Sequence, residues 1–598
     1  MNAIPIYKID GRQLYYTFIA GCKKILEQQY YLNKINVYPV NDGDTGSNMA
    51  FTIQSAIESV LPDKSFTITA NRIAETTIMN ARGNSGIIFA QFLFGMSKET
   101  GERESLTIPQ FAVCIKNSIP YMYEAVANPI EGTMLTVIRE WSEFIYTKRE
   151  IITDFNQLFV CSKEVILKSL SETKQKLLVL AKANVVDAGA NAFVLFIEGI
   201  IELIYTNSIR KLLRSKTEPL ILPMNNEHIS EEVKFRYCTE GILRKLTIDQ
   251  RTLSLILQQN GDSVVIAGDE KIKHIHIHTN NPANLFYQLK NVSLITFQKA
   301  DDMLRQSEVI FNRKWKIALV TDSTCDLPQE LIDQYQINML PLNINFGESH
   351  YLDKITIQPE QFYTLLSQYS EFPKTSQINE KTFVKLYAQL AAQYDSIIAI
   401  HLTDKFSGTY FNSQKAAQAA SKEFNKPITV LNSKNLSGSL GLIILRVARA
   451  IEAGLSHNEI VLMAEKWIRD TRIFVSVKTL KYMVRGGRVS HIKGFMANLL
   501  NVNPIVSMDK NGNSFVFGNT FSQKRNMERV MEHLYNICKD LEVWNYIVLH
   551  AQNMDAAEWY TQKMNEFTGK MPVAVVNISP VIGSNAGIGA VSVALMFN

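Results

Sequence analysis

Residues 41–61 read NDGDTGSNMAFTIQSAIESVL, a polar loop with two glycines that runs into a helical pattern. After the loop, apolar residues recur every three or four positions and would form one stripe along a helix. The members of this stripe are Met49, Ile53, Ala56, Ile57, Val60 and Leu61. The same spacing extends from about Leu14 to Leu213, and strand-like alternation is scarce there. This part of the chain is therefore predicted to be an all-α domain.

The second half of the chain has a different pattern, which begins in residues 316–328, KIALVTDSTCDLP. A short β-branched run enters a Thr-Asp-Ser turn and a helix start, and a similar run at 397–402 follows a helical segment. This alternation predicts a parallel sheet covered by helices. Further strand-like runs at 472–477, 546–550 and 573–578 predict a second lobe or a mixed sheet.

A middle segment separates these two parts. Residues 214–233, RSKTEPLILPMNNEHISEEV, have the charges, prolines and paired asparagines of a linker. Short alternating runs then suit half-buried strands. We predict three domains: an all-α domain at 1–213, a small α+β middle domain at 214–313, and a two-lobed α/β domain at 314–598.

The composition excludes several classes of protein. The chain has 598 residues, of which 46% are hydrophobic, so bulk disorder is excluded. Its net charge of +5 is too small to indicate binding to nucleic acid or to a membrane surface. The six cysteines form no Cys-x-x-Cys pair, and the sequence contains neither an apolar leader nor an uninterrupted apolar run long enough to span a membrane. We therefore expect a cytoplasmic protein without a membrane span.

The loop at 41–49 places two carboxylates, Asp42 and Asp44, around a glycine. Oxygen ligands at this spacing suit Mg²⁺, which keeps waters or substrate phosphates in its other positions. A calcium loop that begins at Asp42 would need a bidentate glutamate at its twelfth position, where this chain has Ile53. The remaining alternative is an Asp-Gly turn that caps the following helix.

A second polar segment, ARGNSG at 81–86, runs into the apolar stretch IIFAQFLFG. Its glycines and small polar residues would leave backbone N–H groups open at a helix N-terminus, where the helix dipole favours a phosphate. The Gly-Lys-Ser/Thr ending of a P-loop is missing, and an ordinary helix cap would use the same residues. Two further glycine turns, EGTMLT at 131–136 and DAGAN at 187–191, precede helices and could complete a nucleotide pocket.

Together these four segments resemble the ATP-binding domain of the dihydroxyacetone-kinase family (DhaL type), most closely its version in bacterial fatty-acid kinases. The resemblance implies an eight-helix barrel that binds ATP through magnesium ions held by Asp42 and Asp44. Where glycerone kinases have a further acidic residue upstream, the nearest residue here is Asn36. The resemblance implies that the ATP-binding residues are Asn36, Thr45, Ser47, Asn48, Gly83, Asn84, Ser85, Gly86, Thr133, Asp187 and Gly189.

Residues 273–279 read KHIHIHT, and strand alternation would place His274, His276 and His278 on one face. With Cys238, which lies earlier in the chain, they make a zinc site with one cysteine, two histidines and an open fourth position chemically reasonable. A solvated histidine-rich face is the alternative. The segment resembles the middle domain of bacterial fatty-acid kinases, which implies a zinc site formed by Cys238, His276 and His278.

Small hydroxyl residues recur in the last part of the chain, in TDS at 321–323, TSQ at 375–377, FSGTY at 406–410 and GGRVS at 486–490. Hydroxyls and an arginine at strand ends can hold a carboxylate or a phosphate, although each alone would serve equally well as a helix cap or turn. No nucleophile elbow and no interpretable Ser/His/Asp spacing is present, so the sequence does not support a hydrolase.

These segments resemble the DegV family of fatty-acid-binding proteins from about Lys316 onward. The resemblance implies an acyl tunnel between two lobes, with the carboxylate held by Thr375 and Ser407 and with Arg488 near the opening. Asn585 stands in VIGSNAGIG, where the family commonly has a histidine, and asparagine donates a hydrogen bond without carrying charge. The other residues that the resemblance implies at this site are Thr321, Asp322, Ser323 and Gly408.

The sequence therefore predicts a kinase that transfers phosphate from Mg-ATP to the carboxylate of a long-chain fatty acid and so makes an acyl phosphate. Such a carboxylate, with a pKa of about 4 to 5, is already ionised at pH 7, so positioning and charge neutralisation suffice. Two alternatives remain open: a lipid-binding regulatory protein with an inactive kinase domain, and a kinase for a triose or similar polyol. We expect a homodimer.

Overall fold

The computed structural model describes residues 4–38, 43–206, 233–488, 503–539 and 541–598. They form two compact units. The first comprises Met1–Asn281 with Lys290–Ser307, and the second comprises Pro282–Leu289 with Glu308–Asn598. The predicted boundary between residues 213 and 214, and all of the predicted linker except Val233, lie outside the described residues.

The first unit begins with a helical domain. Its helices are α1 (Gly11–Glu27), α2 (Gln29–Lys34), α3 (Thr45–Ser59), α4 (Phe66–Met79), α5 (Gly83–Glu99), α6 (Ile108–Ala125), α7 (Met134–Lys148), α8 (Phe155–Lys176), α9 (Leu178–Ala183) and α10 (Ala188–Thr206). In the described part of residues 4–206, the strands are β1 (Lys8–Asp10) and β2 (Ser105–Thr107), which pair antiparallel.

The order of helix contacts closes this domain into a barrel. Helix α1 packs against α4 and α10, and the chain of contacts α4–α5–α6–α7–α8–α10 completes the ring, with α3 packed against α1, α4 and α5. Aromatic rings fill the interior: Phe193 meets Trp141 edge to face at 5.5 Å and Phe92 at 6.1 Å between ring centroids. Such pairs add to the free energy that is gained by burying their area. The predicted all-α barrel is confirmed.

Helix α10 is long and apolar enough to cross a membrane by length and composition alone, and among the described helices it is the one that passes this test. However, 72% of its apolar window is buried inside the fold. A helix that is hydrophobic on every side must be buried, and the core of a domain buries it as well as a membrane does. The hydrophobicity of α10 therefore gives no clear indication of a membrane protein.

The middle segment forms an antiparallel sheet of order β4-β5-β3-β6. Its elements are β3 (Tyr237–Arg244), α11 (Gln250–Asn260), β4 (Asp262–Gly268), β5 (Ile272–Thr279), α12 (Pro282–Leu289), β6 (Leu294–Asp302) and α13 (Met303–Phe311). Val265 and Ala267 of β4 share a buried cluster with Ile87, Ala90 and Phe94 of α5. The sheet therefore completes the burial of the side of α5 that residues of α4 and α6 cover in part.

The second unit contains a parallel sheet, a small antiparallel sheet and a mixed sheet. Its strands are β7 (Ile317–Asp322), β8 (Asn338–Leu340), β9 (Asn343–Phe346), β10 (Ser349–Leu352), β11 (Lys374–Ser376), β12 (Ser396–His401), β13 (Ile428–Asn432), β14 (Thr471–Ser476), β15 (Asn503–Met508), β16 (Ser514–Thr520), β17 (Val543–His550), β18 (Val575–Asn577) and β19 (Val591–Phe597). Its helices after α13 are α14 (Gln329–Gln334), α15 (Pro359–Gln368), α16 (Glu380–Gln393), α17 (Thr409–Phe424), α18 (Ser437–Glu452), α19 (His457–Arg469), α20 (Lys481–Gly486), α21 (Gln523–Ile537), α22 (Met554–Thr568) and α23 (Pro580–Ala586).

The strand orders confirm the predicted two-lobed α/β arrangement. The parallel sheet has the order β13-β12-β7-β8, and the mixed sheet has the order β16-β15-β14-β19-β17-β18, in which β17 and β18 run parallel. Helix α18 packs against β7 of the first sheet and against β14, β17 and β19 of the second. One apolar helix therefore joins the two lobes.

Candidate functional site

The N-termini of α7 and α10 meet at the carboxylate of Asp187. This carboxylate accepts hydrogen bonds from the backbone N–H of Ala190, at 2.7 Å, and from the backbone N–H of Met134. Met134 directly follows Thr133, one of the predicted ATP-binding residues. Asp187 is 5% exposed, and burial raises its pKa to about 6. Burial and the nearby charge of Asp187 also raise the pKa of Tyr38, which precedes the polar loop.

Close packing brings the starts of α3, α5 and α10 together. Gly189 lies against Ser85, and Gly83, whose φ is +61°, lies against the side chain of Asn48, so neither glycine has room for a side chain. Gly86 similarly faces Thr52 of α3. The structure thus gathers the four segments that the sequence analysis singles out at one end of the helical barrel.

The loop before α3 is described from Gly43, so Asp42 lies outside the described residues. Gly43 has a φ of +62°, a conformation that favours glycine. The side chain of Asp44 makes no capping hydrogen bond to α3, which counts against the helix-cap alternative for this residue. Asn36 is 2% exposed and accepts a hydrogen bond from the hydroxyl of Thr45.

The side chains of Ser47 and Asn84 differ in their hydrogen-bond partners. The Ser47 hydroxyl accepts hydrogen bonds from Asn33 Nδ2 at 2.9 Å and from Gln29 Nε2 at 3.2 Å. By contrast, Asn84 Oδ1 is buried and has no hydrogen-bond partner among the described residues. A buried acceptor of this kind needs a donor, so Asn84 has an open position to fill.

Strand register brings Cys238 and two histidines together on one face of the middle sheet. Cys238 lies directly opposite His278, and Cys238 Sγ is 3.9 Å from His276 Nδ1. One ligand atom from each of the three residues lies within 4.8 Å of the others. Ordinary zinc–sulfur and zinc–nitrogen bonds at a tetrahedral angle would hold sulfur and nitrogen about 3.6 Å apart, so the three residues fit Zn²⁺ after a small adjustment.

Burial keeps this cluster of three side chains away from water. The three side chains are buried, so the alternative of a solvated histidine face is wrong. Burial lowers the pKa of His278 to about 3, which leaves its imidazole neutral and able to bind a metal. His276 Nε2 is buried without a partner among the described residues. His274 stands apart, because its Nδ1 lies 3.0 Å from the carbonyl oxygen of Ile78.

The sequence analysis did not single out Glu240, which joins this cluster to the start of α5. Its carboxylate lies 2.8 Å from Arg82 Nη1 and accepts the N–H of Gly83 at 2.9 Å, so that N–H is already bonded within the protein. Burial opposes the charge of Glu240, but Lys299, His276 and Arg82 outweigh it and hold its pKa well below the usual range. Glu240 follows Cys238 by two positions, and strand alternation alone would have placed both on one face.

In the second unit, the Thr-Asp-Ser turn after β7 is bonded inward. The Thr321 hydroxyl donates to the carbonyl of Ile400 at 2.9 Å, and the Ser323 hydroxyl donates to Asp353 at 2.6 Å. Thr321, Asp322 and Ser323 are each 0% exposed. They therefore hold the ends of the strands, and their predicted part in a ligand site stays a prediction.

Asp322 also belongs to a hydrogen-bonded chain that the sequence spacing did not reveal. Its Oδ2 lies 3.2 Å from His401 Nδ1, and His401 Nε2 lies 2.9 Å from Ser413 Oγ. Tyr387 bonds the same serine oxygen at 2.5 Å. This chain has the connectivity of a hydrolase triad, but Asp322, His401, Ser413 and Tyr387 are each 0% exposed, so the serine is closed to a substrate.

The other predicted lipid-site residues fall into two groups. Gly408 lies against the side chain of Gln377, which brings the loop of Ser407 to the end of β11, the strand that contains Thr375. The Ser407 hydroxyl lies 2.8 Å from the Thr409 hydroxyl, a contact typical of a Ser/Thr turn.

The second group lies around Gly486. Asn585 Oδ1 lies against Gly486 and is buried without a partner among the described residues, while Asn585 Nδ2 donates to the carbonyl of Val581 at 3.2 Å. Arg488 bonds the carbonyl of Gly486. The last two residues of the predicted GGRVS segment lie outside the described residues.

Three family models match successive parts of the chain. The DAK2 domain matches residues 39–202, the middle domain of FakA-like fatty acid kinases matches 234–310, and the DegV family matches 316–598. The chain joins a DAK2 domain, a fatty-acid-kinase-like middle domain and a DegV domain. The metal cluster and Glu240 lie in the middle domain, and the Thr-Asp-Ser turn opens the DegV domain.

Bacterial relatives match about half of the chain. An uncharacterized protein of Staphylococcus saprophyticus is 30% identical over 322 residues, which cover 52% of this chain and 58% of that protein. Protein YloV of Bacillus subtilis is 27% identical over 327 residues, which cover 53% of this chain and 59% of that protein. The chain thus covers less than two thirds of the length of these relatives.

Solved structures of DegV proteins also match. A DegV-family protein of Thermus thermophilus, described as binding fatty acid, is 28% identical with a TM-score of 0.44, covering 47% of this chain and 100% of that one. DegV of Bacillus subtilis, described as a fatty acid binding protein, is 29% identical with a TM-score of 0.43, covering 48% of this chain and 100% of that one.

Asp187 should give the DAK2 domain a pH-dependent stability. Its pKa in the folded chain is about 6, above the ordinary value of 3.8, so the folded state favours its protonated form. The stability that this preference contributes is complete at low pH and is lost as the pH rises from about 4 to about 6, at about 1.4 kcal/mol per pH unit. Urea denaturation of the wild type and Asp187→Asn between pH 4.5 and 7.5 measures it. The free energy of unfolding of the wild type should fall relative to that of the variant up to about pH 6, and above this pH the two curves should be parallel. Curves that are parallel over the whole pH range would contradict the raised pKa of Asp187.

Proposed function

We propose that this protein is an ATP-dependent fatty-acid kinase that makes acyl phosphate from a fatty acid carried in its own DegV domain. The observation that carries the proposal is the presence of a DAK2 domain, a fatty-acid-kinase-like middle domain and a DegV domain in one chain. Fusion would keep the acyl carrier at an effective concentration of about millimolar beside the phosphoryl donor.

We assign magnesium binding to Asp42 and Asp44 and phosphate binding to the gathered helix starts. Asp44 stands at the beginning of α3 without a capping bond. Phosphates near helix N-termini gain from the backbone N–H groups and the helix dipole. Mg²⁺ would neutralise charge on the transferring phosphate, and the ionised fatty-acid carboxylate attacks without a general base.

We assign the fatty-acid head group to Thr375 on β11 and to Ser407, whose neighbours Gln377 and Gly408 lie against each other. Both hydroxyls would donate to the carboxylate, and the Ser407 hydroxyl would exchange its contact with Thr409 for the ligand. Each buried methylene of the acyl tail would contribute about 0.8 kcal/mol, so the tail dominates the affinity. The DegV proteins of Thermus thermophilus and Bacillus subtilis, described as fatty-acid-binding, support this ligand class.

We assign one Zn²⁺ to Cys238, His276 and His278. Bound there, zinc would fix β3 to β5 and add positive charge to a buried face of the sheet. Glu240, two positions after Cys238, would link this zinc site to the start of α5, because its carboxylate bonds Gly83 and Arg82.

Removal of a magnesium carboxylate should abolish phosphoryl transfer and leave lipid binding unchanged. We expect Asp44→Asn and Asp42→Asn each to lower acyl-phosphate formation, trapped as hydroxamate, by more than about 100-fold, because the transferring phosphate loses charge compensation. Fluorescent fatty-acid affinity should stay at the wild-type value. Glu164→Gln, a change at an exposed position of α8, serves as the control. Full activity in both aspartate variants would contradict the metal assignment.

The head-group assignment predicts a moderate loss of affinity in Ser407→Ala. The loss of one hydrogen bond to a charged carboxylate should cost about 1.5 to 3 kcal/mol, while the acyl tail still binds. Fluorescent fatty-acid titration measures this, with Ser421→Ala on α17 as a matched serine control. An unchanged affinity would place the head group elsewhere. Mass spectrometry of the solvent-extracted ligand separates a fatty-acid kinase from a polyol kinase, which would release no lipid.

The zinc assignment predicts near-stoichiometric zinc in protein purified without a histidine tag. Cys238→Ala should lose it, because two neutral imidazoles alone hold zinc weakly in a site that also needs a thiolate. Cys325→Ala, at another buried cysteine, should keep it. Elemental analysis of the three proteins measures the metal content, and equal zinc in wild type and Cys238→Ala would overturn the assignment.

A further inference from the structure

The carboxylate of Glu240 stands between two sites that the proposed function treats separately. Its Oε1 lies 2.9 Å from the N–H of Gly83, at the start of α5, and 3.9 Å from Nδ1 of His276, in the metal cluster. Its Oε2 lies 2.8 Å from Arg82, and Lys299 Nζ lies 3.7 Å from Oε1. Glu240 is 0% exposed, so these contacts are made away from water.

Arg82 extends this contact to helix α3 and to the middle sheet. Its guanidinium lies 4.7 Å from the ring of Phe51 on α3 and 4.5 Å from the ring of Phe297 on β6. The backbone N–H of Arg82 donates to Thr52 Oγ1 at 3.0 Å. Since packed interiors do not deform freely, a shift of Glu240 must move Arg82 and the first turn of α5 with it.

A metal bound in the cluster would also add charge close to the start of α5, because Glu240 contacts both Gly83 and His276. A divalent cation with one thiolate would change the cluster from neutral to a net charge of about +1. In a buried setting this charge is weakly screened, and it would favour phosphates at the neighbouring helix starts.

We propose that Glu240 is a positioning residue that couples the metal cluster to the nucleotide site. Metal binding at Cys238, His276 and His278 raises the affinity of the DAK2 domain for a nucleoside triphosphate, and Glu240 transmits the effect through Gly83 and Arg82. The inference rests on the proposed kinase function and adds a regulation to it. By thermodynamic reciprocity, the nucleotide raises the metal affinity by the same factor.

The full-length protein tests this coupling directly. Zinc-loaded and chelator-stripped wild type are titrated by calorimetry with Mg²⁺ and a non-hydrolysable ATP analogue. We expect the loaded form to bind at least about 5-fold more tightly, the lower end of usual coupling between sites. In the reverse experiment, chelator competition should show zinc bound more tightly by the same factor when the analogue is present.

The Glu240→Gln variant tests the residue. Glutamine keeps the volume and an oxygen that can accept the N–H of Gly83, but it removes the charge that bonds Arg82. We expect the loaded and stripped forms of this variant to bind the analogue with nearly equal affinity. Glu202→Gln, which removes the partner of Lys24 at the surface, should keep the wild-type factor.

The outcomes separate this inference from the function on which it rests. Equal analogue affinity in loaded and stripped wild type overturns the coupling and leaves the kinase proposal standing. An undiminished factor in Glu240→Gln overturns the role of Glu240. Absence of analogue binding in both forms of the wild type overturns the kinase proposal and the coupling together. If Glu240→Gln does not fold, the reciprocal pair of wild-type titrations still decides whether the sites are coupled.

Discussion

Helix α5 is apolar on every side, and a helix of that kind has to be buried all round. One side contributes Phe89 and Phe92 to the core of the helical barrel, and the other contributes Ile87 and Phe94 to a second cluster. Residues of α4 and α6 cover part of the second side, and Val265 and Ala267 of β4 in the middle sheet complete its cover. The start of α5 consequently lies where the DAK2 domain meets the middle domain.

The same face of the middle sheet also carries polar residues, which lie beyond its apolar contacts with α5. Where the apolar pairing ends, a buried glutamate has to be compensated, since an unpaired charge in the interior costs several kcal/mol. Arg82 and Lys299 provide the compensation for Glu240, and the N–H of Gly83 provides a hydrogen bond. His276 lies opposite Glu240, and Cys238 and His278 form the next pair on the same face of the strands. Apolar docking therefore sets the distance between the cluster and the helix starts.

The polar residues of the DegV domain fall into two groups, which differ in their hydrogen-bond partners. The Thr-Asp-Ser turn and the Asp322–His401–Ser413 chain use their hydrogen bonds internally and are closed to ligands. Such fully satisfied networks hold strand ends in one arrangement. Ser407 and Asn585 differ, because the contact of the Ser407 hydroxyl is local, to Thr409, and Asn585 Oδ1 has no partner among the described residues. A hydroxyl with a local contact can exchange it for a ligand, which the buried network cannot do.

The local patterns of the sequence determined the classes of structure. Spacing of three to four residues predicted the helices of the barrel, and β-branched runs between helical segments predicted the parallel sheet, because side-chain periodicity follows directly from backbone geometry. Alternation in KHIHIHT likewise placed three histidines on one face of a strand. Asp42, the inter-domain linker and the end of the GGRVS segment lie outside the described residues, so their assignments stay predictions.

Tertiary structure alone decided which of these residues meet. The register of β3 against β5 sets Cys238 beside His276 and His278 and leaves His274 to the carbonyl of Ile78. The approach of Glu240 to Gly83, and of Asp322 to His401, joins residues far apart in the chain. No short-range pattern encodes such contacts, because they depend on how whole faces pack, and packing is decided by the burial of apolar area over many residues at once.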